Sequence, residues 1–399
     1  MTSKPGPGVR EPDAAVTQHL VTHRRELHAI PELSFKEDET AHYLLERLDP
    51  LGVDKLTPGV GGTGVVADIR GERPGRAVLV RADMDGLPIQ EANDVPYCSK
   101  HAGKMHACGH DGHVAMGLEV ARRLHAAPLP TGSAVKFAFQ PAEEIAGGAR
   151  AMIDAGVLDA PRVDAAFGIH LWNDLPVGTI GVMAGAVMAS VDEFEVTIRG
   201  RGGHAAAPHQ TVDPVLAAAH VVTALQSLVS RRRNPFEEGV VSVTQLAAGH
   251  AFNVIPDHAE LRGTVRTFGG KFYDDAPALL EEMVQGIAAG FGGSAEVRYR
   301  RLCKPTVNDE HMTGVMLDAA REVVGSENVA SGVRTMGGED MSFFLAQVPG
   351  CFAFVGSAPH GGKGAPHHSP GFDIDEESLV IGTELLTRTA LRYLDLPTR

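Results

Sequence analysis

The sequence predicts an α/β protein in which a mostly parallel sheet, covered by helices on both faces, is interrupted by an inserted ferredoxin-like α+β unit. Three observations carry this. Through residues 16–187, short apolar runs of strand length alternate with stretches of helical period, the pattern of parallel strands joined by crossover helices. From about Val187 the order becomes β-α-β-β-α-β, that of a ferredoxin-like unit. The chain of 399 residues exceeds what one ordinary core organises, so about two domains are expected. The expected boundaries are 11–187 with 303–399 for the first domain and 188–302 for the insertion.

Taken in order, residues 16–29 have helical periodicity, and Ser34-Phe35-Lys36-Glu37 has the form of a capping box for a helix to about Asp49. Residues 64–69 and 77–80 read as strands, the second ending at the acidic loop Arg81-Ala82-Asp83-Met84-Asp85-Gly86. A helix over 113–126 follows, then a strand over 134–139 and a strand over 163–169 that ends at His170. In the insertion, strands are expected over 192–199, 239–246, 258–267 and 295–300. Its helices run over 272–291 and from an Asp213-Pro214 start to Ser230. The first domain resumes with a helix over 312–324, a turn at Gly337-Gly338-Glu339-Asp340 with a short helix after it, a strand over 351–355 and a helix over 376–393.

Composition narrows the function classes. The net charge of −14 and the 5% aromatic content argue against a nucleic-acid partner, which needs a basic face and stacking platforms. Cys98, Cys108, Cys303 and Cys351 lie far apart with no CxxC pair, so a reducing, cytoplasmic setting is expected rather than a disulfide framework. Met1–Arg10 has no apolar core of the signal-peptide kind and is expected to be disordered. No run of about 18 apolar residues suggests a membrane span.

The richest segment is Met105-His106-Ala107-Cys108-Gly109-His110-Asp111-Gly112-His113. Cys108 and His110, two apart on a loop, can turn to one ion, and a thiolate with an imidazole suits zinc, cobalt, nickel or manganese rather than calcium or magnesium. Taken alone, the pair reads equally well as a buried structural cysteine beside solvent-facing histidines. Three later segments add to it, each after a strand-like apolar run: Glu143-Glu144, His170 and His367-His368. Adjacent carboxylates in an extended loop point in different directions, so one can ligate while the other holds a proton. The bland alternatives are a solvated acidic turn at Glu143-Glu144 and a satisfied structural histidine at His170. His106 reads as a support behind a ligand or as merely local, and His360 reads as exposed. The candidate ligands fall at the carboxyl ends of strands, where open α/β sheets build their sites. In the insertion, His204 follows Gly200-Arg201-Gly202-Gly203 and Asn253 lies between two strands, both compatible with ordinary turn chemistry.

Together these segments resemble the M20 metallopeptidases, most closely the amidohydrolase branch of hippurate hydrolases, N-acyl-amino-acid deacylases and auxin-conjugate hydrolases. The resemblance runs from Arg24-Arg25-Glu26-Leu27-His28 through the 81–88, 105–113, 140–144 and 337–340 motifs to His368-Ser369-Pro370. Arg81 stands where other branches have a metal-binding histidine, which favours the amidohydrolase branch. Gly371 stands where an aromatic residue is frequent.

The resemblance implies two divalent ions, zinc, manganese, cobalt or nickel, held by Cys108, His110, Glu144, His170 and His368, with Glu143 as catalytic base. It further implies that the insertion is a lid and dimerisation module, in which His204 steadies the oxyanion and Asn253 binds substrate. The expected activity is hydrolysis of the amide of a small N-acyl amino acid by a homodimer or higher homo-oligomer. The alternatives are a carboxypeptidase or dipeptidase of the same family, a catalytically inactive metal-dependent binding protein, or zinc as a purely structural clamp.

Overall fold

The computed structural model describes residues 13–71, 75–127, 129, 132–359 and 364–396. The expectations for Met1–Arg10, for a domain start at residue 11 and for His360 lie outside these residues. In chain order the strands are β1 Lys55–Val60, β2 Gly64–Arg70, β3 Ala77–Asp83, β4 Ala134–Gln140, β5 Ala165–Pro176, β6 Ile180–Gly181, β7 Gly185–Met188 and β8 Val191–Arg199. They continue with β9 Gly203–His204, β10 Gly239–Ala248, β11 Val254–Ile255, β12 His258–Thr267, β13 Ser294–Cys303, β14 Thr306–Asn308, β15 Val329–Ala330 and β16 Gly350–Ala358. The helices are α1 Ala14–His28, α2 Asp38–Leu48, α3 His110–Ala126, α4 Gly148–Asp154, α5 Pro214–Ser227, α6 Gly270–Gly290, α7 Glu310–Val324, α8 Met341–Leu345 and α9 Glu377–Leu394. The chain divides into two compact units: Met1–Val187 with Val307–Val333 and Asp340–Arg399, and Met188–Thr306 with Arg334–Glu339.

The first unit is organised by an eight-stranded sheet of order β1-β2-β4-β3-β5-β16-β6-β15. Its centre, β4-β3-β5-β16, is parallel, whereas β1-β2, β2-β4 and β16-β6 pair antiparallel. The sheet is thus mixed and mostly parallel. Val78, Val80, Val135, Phe137 and Phe139 enter one hydrophobic core with Leu20, Val114, Val120 and Leu385, which come from α1, α3 and α9. On β3 and β4 the alternate positions Arg81 and Gln140 meet Asp340 instead. The other carboxylate oxygen of Asp340 accepts from Ala149 N–H of α4.

Helix α1 buries Val16, Leu20, Arg24, Leu27 and His28, one stripe at helical spacing that carries two charged residues into the core. Arg24 donates to Asp111 at 2.9 Å, Asp373 at 2.6 Å and Glu376 at 3.3 Å. His28 reaches Asp111 at 2.7 Å through one ring nitrogen and Glu91 at 3.1 Å through the other, so both nitrogens donate and the ring is an imidazolium. Burial disfavours that charge, but Asp111 and Glu91 outweigh it and hold the His28 pKa up at about 9. The folded value lies above the ordinary 6.5, so this contribution is full below about 6.5 and is lost as pH rises through about 9. Wild type should therefore melt well above His28→Gln at pH 6, and the gap should shrink towards pH 10. A gap constant across that range would contradict the assignment.

Several local expectations are corrected. Ser34 does not cap α2: Glu37 stands at the N-cap position without a side-chain capping bond to the helix, and the Ser34 hydroxyl donates to Asp85 at 2.7 Å. Phe35 has φ of 60°, which turns the chain away from a capping geometry. Arg81, Ala82 and Asp83 belong to β3 rather than to a loop. Helix α3 begins at His110, not at His113. Strand β5 does not end at His170 but continues to Pro176, paired with β16 through Trp172 opposite Gly356.

The second unit is a four-stranded antiparallel sheet of order β10-β12-β8-β13, with α5 and α6 packed on it. Phe194, Val196 and Ile198 point into its core with Val221, Leu225, Leu280 and Val284, while the alternating Glu193, Glu195 and Thr197 do not. Asp213 caps α5 by accepting from Val215 N–H at 2.8 Å and Leu216 N–H at 3.3 Å. The α-helix stops at Ser227 and passes into a π-helical turn over Leu228–Arg232.

Candidate metal centre

Four segments of the first unit converge. Gly109, with φ of 95°, lets the chain turn between Cys108 and the first residue of α3 in a conformation that favours glycine. Gly112 allows α3 to approach β5, since a Cβ there would lie 2.6 Å from Leu171 Cδ1. That approach sets His110 of α3 beside His170 of β5, with ring centroids 6.1 Å apart. His368 has φ of 61°, and its N–H donates to the Ala107 carbonyl at 2.8 Å, which holds the 366–370 loop over Cys108.

The carboxylates arrive on a turn, not on an extended loop. Ala146 N–H donates to the Glu143 carbonyl at 2.7 Å and Gly147 N–H to that of Ala142 at 3.1 Å. As a result Glu143 and Glu144 do not diverge: His110 Nε2 lies 4.0 Å from Glu143 Oε2 and 3.9 Å from Glu144 Oε1.

Two sets of side chains here have the composition and proximity to hold a metal ion, Cys108–His110–His170 and Cys108–Glu144–His368. They share the Cys108 thiol. A third, His110–Glu143–Glu144, joins them. All five residues expected as ligands, and Glu143, are thus brought together. Cys108 Sγ lies 3.4 Å from His170 Nε2, and His368 Nε2 lies 3.3 Å from Glu144 Oε2. Among the described residues, His110 Nε2 and Glu144 Oε1 are buried with no hydrogen-bond partner, a condition native interiors avoid unless a ligand completes it. The donors are one thiol, three imidazoles and a carboxylate, a soft-to-borderline set that fits transition-metal ions.

Two of the imidazoles are oriented for this. His110 Nδ1–H donates to the Asp85 carbonyl at 2.9 Å and His170 Nδ1–H to that of Leu171 at 2.6 Å, which leaves each Nε2 towards the site. Burial, reinforced by His113 and His367, pushes the His170 pKa well below its ordinary value, so the ring is the neutral form that ligates. Burial also raises the Cys108 thiol, an effect an adjacent cation reverses. Hydrogen bonds to Cys108 and Glu144 hold His368 up at about 10.

Asp83, His110 and His113 also lie within ligating distance of one another, but this set is already occupied. His113 Nε2 accepts from Leu171 N–H at 2.9 Å and its Nδ1–H donates to Asp83. Asp83 accepts from Arg81 at 2.8 Å. Burial opposes its charge, yet Arg81, His110 and His113 hold its carboxyl well below the usual range. The polar atoms of Asp83 and His113 are thus engaged by one another, by Arg81 and by the Leu171 N–H. His367 packs flat on Trp172, centroids 4.8 Å apart, and accepts from Asn173 N–H at 3.2 Å. His106 is buried with both ring nitrogens lacking a hydrogen-bond partner among the described residues.

The two remaining expected residues belong to the second unit. The short ladder of β9 with β11 pairs His204 opposite Val254, and Ala205 N–H donates to the Asn253 carbonyl at 3.1 Å. His204 and Asn253 therefore stand side by side on an exposed ladder. Sequence reasoning did not pick out Asp83 and Asp85 as supports; their clue was the alternation of Arg81, Asp83 and Asp85 directly after an apolar strand-like run.

The chain is similar to several known proteins. An N-acetylcysteine deacetylase of Bacillus subtilis (strain 168) is 42% identical over 96% of this chain and 99% of its own length. A thermostable carboxypeptidase of Saccharolobus solfataricus is 37% identical over 94% of this chain and 95% of its own. The crystal structure of the Bacillus subtilis YXEP protein, described as a dinuclear metal-binding peptidase of the M20 family, superposes with a TM-score of 0.82 at 38% identity. It covers 96% of this chain and 99% of that one. Residues 79–392 match the family described as peptidase family M20/M25/M40, and the chain belongs to that family.

Proposed function

We propose that the protein hydrolyses the amide of N-acyl amino acids, releasing a carboxylate and a free amino acid. The observation that carries this reading is the pair of ligand sets sharing Cys108, with Glu143 as a further carboxylate 4.0 Å from His110. Cys108, His110, Glu144, His170 and His368 would hold two divalent ions. When bound, two such ions lower the pKa of a water towards about 7 and polarise the substrate carbonyl. Glu143 takes the proton of the attacking water and delivers it to the leaving amine. His204 steadies the oxyanion and Asn253 holds the substrate, with the second unit serving as lid and dimerisation module. Zinc, manganese, cobalt and nickel are the ions this donor set admits, and four free cysteines suit a cytoplasmic setting. No helix among the described residues is long and apolar enough to cross a membrane.

A deacylase and a carboxypeptidase cut the same bond type, an amide whose amine side is an amino acid with a free carboxylate. They differ on the acyl side. The test is release of free amino acid from matched N-acetyl, N-benzoyl and dipeptide substrates by protein stripped of metal and resupplied with each ion. Metal-restored cleavage of N-acyl substrates supports the proposal, and cleavage confined to peptides replaces it with the carboxypeptidase reading. Chelation should abolish turnover while circular dichroism remains near that of the loaded protein. Unfolding on chelation would instead mark a structural clamp.

A further inference from the structure

We infer that Asn173 is a positioning residue that fastens the loop carrying His368 to the strand carrying His170, an inference that rests on the proposed metal site. Asn173 lies on β5 beyond His170 and is 3% exposed. It meets the loop at three points. Its Nδ2 donates to the Ala365 carbonyl at 3.0 Å and to the Asp373 carbonyl at 2.9 Å, on either side of His368. Its backbone N–H donates to His367 Nε2 at 3.2 Å. An imidazolium has no acceptor, so His367 is neutral with its proton on Nδ1, which lies 3.9 Å from Cys108 Sγ. Trp172 and Phe372 pack against the same ring, each with its centroid 4.8 Å away.

The amide is itself held. The Ser357 hydroxyl donates to Asn173 Oδ1 at 2.7 Å, which turns the NH2 group to the two loop carbonyls. Both side chains sit where the ladder of β5 with β16 is irregular: Trp172 pairs with Gly356 and Pro176 with Ala358, so Ser357 alone is matched by residues 173–175. Irregularities of this kind re-aim side chains. With its oxygen and nitrogen both engaged, the amide is buried without the cost of an unmade bond. A carboxylate at position 173 has the same outline but only acceptors, so Asp there loses both loop bonds and sets an anion against two carbonyls. The loop keeps other anchors: His368 N–H donates to the Ala107 carbonyl at 2.8 Å, and the Pro370 carbonyl accepts from Ala92 N–H at 2.8 Å. Loss of the Asn173 bonds should therefore loosen His368 rather than release it.

The test pairs metal affinity with kinetics in the full chain. Metal-stripped wild type, Asn173→Asp, Asn173→Ala, Ser357→Ala and His368→Ala are titrated with zinc ions in competition with a chromophoric chelator, and kcat and KM are measured on an N-acyl amino acid. His368→Ala identifies which of the two binding steps depends on this loop. Asn173→Asp is expected to weaken that step about ten- to a hundredfold, the range for groups that orient ligands, and to lower kcat with KM little changed. Asn173→Ala should shift both in the same direction. Ser357→Ala, which leaves both loop bonds in place, is expected to bind zinc as wild type does and to melt at a lower temperature without metal. A residue that merely held the fold would behave as Ser357→Ala does. If His368→Ala loses a zinc while both Asn173 variants bind two as tightly as wild type, the inference is overturned and the metal site stands. An equal weakening in Ser357→Ala also overturns it, because the loss then belongs to the irregular ladder and not to the loop bonds. Should Asn173→Asp fail to fold, Asn173→Ala decides by the same criterion. Wild-type zinc binding in His368→Ala overturns the metal site and this inference with it.

Discussion

Glu143→Gln should bind metal as wild type does and turn over an N-acyl amino acid at least about a hundredfold more slowly, the usual loss on removing a general base. The substitution preserves volume and keeps the Glu143 N–H bond to Asp85, so the turn and its neighbour Glu144 should stay in place. What disappears is the group that accepts a proton, and KM should change little. Single-turnover rates with measured metal content check this. Metal loss in the variant would place Glu143 among the ligands instead, and near-wild-type turnover would remove it from the mechanism.

Arg24→Met should be the most destabilising substitution outside the metal site. The guanidinium is fully buried and faces three carboxylates, Asp111, Asp373 and Glu376. Burial opposes its charge, yet these partners hold its pKa above the ordinary value. Removing one member of a buried ionic cluster leaves uncompensated charge and costs about 3–5 kcal/mol. Arg25 is the internal control: among the carboxylates of the described residues it bonds Glu376 alone, and it is 45% exposed, so Arg25→Met should cost less than about 1 kcal/mol. Denaturant unfolding followed by Trp172, the single tryptophan, reports on the first unit. Equal midpoints for the two variants would contradict the account.

The candidate ligands, which the structure brings close together, could be picked out as candidates because metal chemistry restricts residue type. Cys108, His110, Glu144, His170 and His368 each follow an apolar run or sit in a glycine-rich turn, and the fold needs to bring only their segments together. The supports were harder to see, since their partners are remote. Ser34 meets Asp85 across 51 positions, and Arg81 meets Asp340 across 259. Local spacing offered Ser34 a nearer role as a cap, which Phe35 with φ of 60° forecloses. Strand β1 was not among the expected elements: it carries Pro58-Gly59, but it lies at the sheet edge, where proline is tolerated, with a register shift between Pro58 and Val60. The second half of β5 was hidden for a similar reason. Asn173, Asp174 and Pro176 look like loop residues, yet pairing with β16 extends to Ala358 opposite Pro176.

The shared thiol is the most direct point of attack on the metal-site account. Native mass spectrometry would count ions per chain in wild type, His368→Ala and Cys108→Ala, each reconstituted with zinc. His368 belongs to one ligand set and Cys108 to both. The account predicts two ions in wild type, one in His368→Ala, and none together with no turnover in Cys108→Ala. Two ions and undiminished hydrolysis in Cys108→Ala would contradict it.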